Sequence, residues 1–190
     1  MPQRSQTSPV AGLSLVEVIV VVGIVVVVAG MLTPVFFRAK HRVNILSSAE
    51  KLRQLHIATM IYRTDHDGDG RYGDIPVMGL PPATYVIFNR FGLPETTLQS
   101  SCGHHPSVPM AILNIDYRPG RGGPAFAADA LVFRENLILF QDMNCSDAEV
   151  LLENPFQSKT GIGILLGGRA VLKRQTGDYW SPLWWSEPEM

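Results

Sequence analysis

Three groups of residues in this chain have types and spacings that point to chemistry. The first is Glu17, a carboxylate inside an otherwise apolar run. Burying an acid in hydrocarbon costs about 2.5–3.5 kcal/mol on insertion scales. It therefore either stays wet at the headgroups or meets a cation, and the run itself holds none. The second is Asp65, Asp67, Asp69 and Gly70, which fall at positions 1, 3, 5 and 6 of a calcium-binding loop. Pro76 stands where that loop wants its last carboxylate, so Asp74 would have to reach in. Two readings stay open: a weak Ca²⁺ site, of about 10⁻⁴–10⁻³ M as in extracytoplasmic modules, or an acidic Gly-rich turn that needs no metal. The third is Cys102 and Cys145, which can close a disulfide, join His104 and His105 in a zinc tetrad of no standard spacing, or lie in a polar surface loop.

Other chemistries lack their residues. Arg118-Pro119-Gly120-Arg121-Gly122-Gly123-Pro124 reads as a loop without the Lys-Ser/Thr ending of a phosphate cradle, and Gly161-x-Gly163 lacks a third glycine at the right distance. No nucleophile elbow, metalloprotease helix or pair of carboxylates stands out, so an enzyme is not expected. Sixteen Lys and Arg against seventeen Asp and Glu leave a formal charge of -1. That supplies no basic field for nucleic acid, and none is expected as a partner.

The elements that position these groups begin with Leu13 to Phe37, 25 residues in which only Ser14, Glu17 and Thr33 are clearly polar. About 20 helical residues cross a bilayer, so the run is long enough to span. It is too long for the apolar part of a cleaved secretory signal, and no Ala-x-Ala follows it. Its many valines would weaken a helix in water. In lipid, a lone span has no alternative to helix. Beyond it, Ile45, Ala49, Leu52, Leu55, Thr59 and Tyr62 recur at helical spacing, with Glu50, Arg53 and Gln54 opposite. His56 falls in the apolar face and reads as a packed histidine. The spine then runs to about Arg63, roughly 75 Å at 1.5 Å per residue, and stops in the acidic, Gly-rich turn.

From Ile75 onward, Pro and Gly punctuate short apolar runs. Strands are expected at Thr84–Phe88, Met110–Tyr117, Leu131–Phe133, Leu137–Phe140, Gly163–Leu166 and Arg169–Lys173. Trp180, Trp184 and Trp185 close the chain as an aromatic cluster to be packed on the domain.

The stretch Gly12-Leu13-Ser14-Leu15-Val16-Glu17-Val18-Ile19-Val20-Val21-Val22 resembles the type IV prepilin signature, shared with type II secretion pseudopilins. The resemblance implies that a prepilin peptidase cuts after Gly12 and methylates the new amine of Leu13. It also implies that Glu17 pairs with the terminal ammonium of a neighbouring subunit, and that Pro34 is the family's helix-bending proline. A second stretch, Gln157 to Lys173, is similar to the C-terminal hairpin of prepilin-like proteins from planctomycete-type bacteria. Those carry a His, nine residues, then Asp-Gly. Here Gln157 stands for the His and Gly167 for the Asp, with the spacing kept.

The fold class expected is α+β and pilin-like: a long N-terminal helix packed on a small antiparallel β-sheet domain. Its parts are a leader at 1–12, a membrane and assembly helix at 13–37, an amphipathic continuation at 38–63 and a β-rich extracytoplasmic domain at 64–190. The implied function is a structural subunit of a pilus or secretion-type filament. Its implied partners are the peptidase, like subunits, an inner-membrane assembly platform and membrane lipid. Arg38, Lys40 and Arg42 follow the run while Arg4 alone precedes it, so charge bias taken by itself would put the C-terminal part in the cytoplasm. The resemblance implies a single pass through a bacterial inner membrane with the opposite orientation. The competing reading is a membrane-tethered enzyme or binding module, for which the apolar run is only an anchor.

Overall fold

The structure, a computed structural model, describes residues 15–66, 68, 70–103, 115–146 and 150–185. The chain divides into two compact units, one ending at Lys40 and the other beginning at His41. Helix α1, Leu15–Asp65, contributes to both. In the first unit every described residue of α1 is exposed. Thr33 survives in this apolar company by donating its hydroxyl to the Ala29 carbonyl at 2.8 Å, which satisfies it within the helix. Pro34 lies inside the helix. Its missing N–H removes the bond that Gly30's carbonyl would otherwise accept.

In the second unit α1 becomes one-sided. Ser48, Leu52, Leu55, Ala58, Thr59 and Tyr62 are buried, and Ile45 and Ala49 pack beside them. This is the face that the helical spacing predicts. The other elements of this unit are α2 (Thr84–Phe91), β1 (Asp116–Tyr117), α3 (Arg118–Phe133), β2 (Ile138–Asp142), β3 (Lys159–Leu165), β4 (Ala170–Gln175) and the short α4 (Pro182–Trp185). The strands form one sheet in the order β1-β2-β3-β4, each pair antiparallel. The fold is α+β, a long N-terminal helix with a small four-stranded antiparallel sheet.

β2 is buried along its whole length because a core lies on each face. Leu137, Leu139 and Phe140 enter the larger core with Leu52 and Leu55 of α1, Ile87 of α2 and Phe126 of α3. Ile138 and Met143 enter the smaller one with Leu152, Tyr179, Trp184 and Trp185. An irregularity in the β2–β3 register between Ile138 and Phe140 lets Leu139 and Phe140 serve the same core. Opposite, Gly161 and Gly163 of β3 seat the tryptophans. A Cβ at Gly163 would lie 2.8 Å from the Trp185 ring, and one at Gly161 would lie 2.8 Å from Trp185 and 3.1 Å from Trp184. The Gly-x-Gly pair exists here for close approach to indole.

Three expectations are corrected. Thr84–Phe88 is helical despite its β-branched and aromatic residues. Ile87, Phe88 and Phe91 share one helical face toward the core, and Gly92 caps the end by donating its N–H to Phe88 at 2.9 Å. Leu131–Phe133 ends α3, where Phe126, Ala130 and Phe133 recur at helical spacing against the core. The expected loop Arg118–Pro124 opens that same helix. The backbone breaks only at Gly123, with φ 48° and ψ −123°, and restarts at Pro124, whose missing N–H costs nothing at a first helical position. Of the strand expected at Met110–Tyr117, the described part is β1, and residues 110–114 lie outside the described residues.

Candidate functional site

Among the residues singled out from sequence, Gly12 and Leu13 lie outside the described residues, and Glu17 sits in the first turn of α1. Around and beyond it Leu15 keeps 78% of its surface, Val26 64% and Phe36 73%. This is one helix long and apolar enough to cross a membrane, and its apolar surface shows no polar face from Val18 to Leu32. A helix apolar all round is stable only in surroundings that are apolar all round.

The described part of the acidic turn is held by an ion pair and by hydrogen bonds to backbone carbonyls. Asp65, the last residue of α1, accepts a hydrogen bond from Arg90 Nη2 at 2.8 Å and forms an ion pair with it. The Arg63 carbonyl accepts from the Gly68 N–H at 2.9 Å, and Arg63 Nε donates to Met78 O at 3.0 Å, which fastens the turn to the 75–79 loop. Asp74 uses its carbonyl oxygen to accept from Met78 N–H. Asp67 and Asp69 lie outside the described residues. Among the described residues no group of three or more His, Cys, Asp or Glu converges as a metal site would require.

Cys102 and Cys145 are joined in a disulfide, with Cα atoms 5.0 Å apart. That removes both thiols from a zinc tetrad, and His104 and His105 lie outside the described residues. The bond ties the segment after Leu98 to the end of β2. On the same side of the chain, Ser48 accepts the Ser101 N–H and Lys51 donates to the Gln99 carbonyl, so this segment is fastened to α1 as well.

The hairpin positions of the second resemblance are taken by local structure. Gln157 accepts the Leu151 N–H at 2.5 Å. A Cβ at Gly167 would lie 2.6 Å from a Glu135 carboxylate oxygen, so that carboxylate occupies the space of a side chain at 167. Glu135 also accepts from the Tyr72 hydroxyl at 3.0 Å. Burial first, and this bond second, raise the Tyr72 phenol above its ordinary value. His56 is the packed histidine its position predicts: Nε2 lies 3.0 Å from the Leu166 carbonyl and holds the β3–β4 turn to α1.

Two cations, the buried Lys159 and the half-buried Arg118, escaped sequence reasoning. Lys159 has no exposed surface, and its Nζ donates to the carbonyls of Asn154 at 2.7 Å and Gly177 at 2.5 Å. Burial lowers its pKa, and Asp178 partly opposes that. Arg118 donates to the Trp180 carbonyl at 2.6 Å and stacks over that ring with its guanidinium carbon 5.2 Å from the centroid. Burial lowers its pKa as well, opposed by Asp116, Asp129 and Asp178. Lys159 clamps the C-terminal segment to β3, and Arg118 clamps it to the start of α3. No local pattern marks either residue, because the carbonyls they serve come from distant loops.

The two units together define a class by architecture: an exposed apolar helix continuous in sequence with a disulfide-bonded α+β unit. Compared with family models, curated proteins and solved structures, the chain finds no match in any of the three.

Proposed function

We propose that this chain is a structural subunit of a pilus-like or secretion-type filament, held in the membrane by the first part of α1 before it assembles. The observation that carries the reading is the uninterrupted exposed apolar surface of α1 with Glu17 in its first turn. Lipid and a bundle of like helices are the two environments that cover such a surface on all sides. A simple anchor needs no acid in its first turns, whereas a stack of helices gains register from one. In this reading a prepilin peptidase cuts after Gly12 and methylates Leu13, and the carboxylate of Glu17 meets the new ammonium of a neighbouring copy. The Cys102–Cys145 bond supports placing the second unit outside the cytosol, where disulfides persist.

Mass spectrometry of the membrane form, from a host with the peptidase, is expected to show loss of Met1 to Gly12 and one added methyl group. Glu17→Ala and Glu17→Gln are expected to insert and be cut normally while cross-linked multimers fall. An intact amino terminus, or variants that multimerise like the parent, would return the chain to the tethered-module reading.

A further inference from the structure

The second unit holds a cavity of about 550 Å³ that the filament reading does not use. It lies where the end of α1, the 75–82 loop and the start of α3 come together. Tyr62, His66, Ile75, Leu80, Pro82 and Pro119 line it. The volume falls within the small-molecule range of roughly 300–1,000 Å³, too small for a helix of another protein and ample for one or two fused rings. Aliphatic and proline walls call for an apolar body.

Two polar side chains of the lining qualify that body, the buried Tyr62 and the exposed His66 at its rim. The Tyr62 and His66 rings stack with centroids 3.8 Å apart and planes 11° from parallel. His66 Nδ1 lies 2.9 Å from the Tyr62 carbonyl oxygen, which can only accept. The proton of the neutral imidazole therefore sits on Nδ1, and Nε2 carries a bare lone pair. Neither Nε2 nor the Tyr62 hydroxyl has a protein partner among the described residues. Arg90 lies 5.9 Å from the centre of the Tyr62 ring and is already paired with Asp65, and Arg63 Nε is committed to the Met78 carbonyl. The lining thus offers an acceptor and a hydroxyl, and among the described residues that line it there is no Asp, Glu, Lys or Arg, which favours a neutral ligand.

We propose that this cavity binds a small neutral aromatic molecule bearing one N–H or O–H donor, of the indole or phenol class, with the donor directed at His66 Nε2. The site does not depend on filament assembly, so a monomeric, uncut chain binds equally well.

The test uses the full chain in lipid nanodiscs, with indole and benzofuran as probes, in equilibrium dialysis with uptake by empty nanodiscs subtracted. The two probes share a shape, and benzofuran replaces the N–H by oxygen. Saturable one-to-one binding of indole is expected, about fivefold tighter than benzofuran, the size of one hydrogen bond. His66→Phe keeps a ring in the stack and removes the acceptor, so the two probes should become equal. Ile75→Trp fills the space and should abolish binding of both. Thermal unfolding of each variant checks that it is folded, and if Ile75→Trp is not, Leu80→Phe replaces it. Absence of saturable binding, equal affinity of the two probes for the parent, or indole preference unchanged in His66→Phe would each overturn the proposal.

Discussion

Val22 and Leu55 lie on the same helix, yet Val22 keeps 54% of its surface and Leu55 keeps none. Around Val22 the sequence is apolar in every direction, so no side of the helix is distinguished and burial must come from lipid or other chains. Around Leu55 the apolar residues recur every three or four positions, so one side is committed to the core of its own unit. The same backbone thus follows two solvation rules. The first stretch leaves its apolar surface to its surroundings, and the second contributes to the folding of its own unit.

The contrast can be broken at several points. Replacing Cys102 and Cys145 together by serine should cost the second unit about 4 kcal/mol, because the bond closes a separation of 43 residues. Urea unfolding followed by near-ultraviolet tryptophan signals would read that loss, and membrane insertion of the first stretch should be indifferent to it. Leu55→Ala should cost about 3 kcal/mol through a core cavity. Val22→Ala should leave the same urea midpoint unmoved, and an equal cost at both positions would erase the distinction. Gly163→Ala should cost about 2 kcal/mol, since the added methyl group meets the buried Trp185 ring and overpacks the smaller core. A matched Gly23→Ala has open space around it and should be neutral or slightly stabilising.

The smallest effect concerns pH. Tyr117 is buried and its hydroxyl donates to the Pro81 carbonyl at 2.7 Å. Burial, with the neighbouring Tyr62 adding to it, holds its phenol well above 10.0. A folded value above the unfolded one means the contribution is complete below pH 10 and is lost as pH rises toward the folded value. Tyr117→Phe should cost about 1 kcal/mol at neutral pH. It should also flatten the fall in melting temperature above pH 10, and a fall as steep as the parent's would assign the alkaline loss to Tyr72 and Tyr179, which burial also raises.

What was legible in the sequence was what neighbours along the chain decide. The extent of α1 follows from one long apolar run and one helical period, and its stop follows from an acidic, Gly-rich turn. The strands near Leu137, Gly163 and Arg169 are local apolar runs between turn residues, and β2, β3 and β4 fall on them with ends shifted by a few residues. The tryptophan cluster and His56 also went where their surroundings in sequence pointed.

What only the tertiary structure decided depends on residues far apart in the chain. Thr84–Phe91 has strand-forming residues and became a helix because the larger core accepts three of its side chains at helical spacing, and such a core exists only after α1, α3 and the sheet have met. Gly161 and Gly163 have no evident purpose in the sequence until Trp185, more than twenty residues later, is laid over them. The partners of Lys159, Arg118 and Tyr72, and the cavity beside Tyr62 and His66, are likewise assembled from separate segments. Periodicity and turn chemistry act over a few residues and are written where they act. Close approach, burial of charge and the shape of a cavity are properties of packed surfaces, which no single segment possesses until the others cover it.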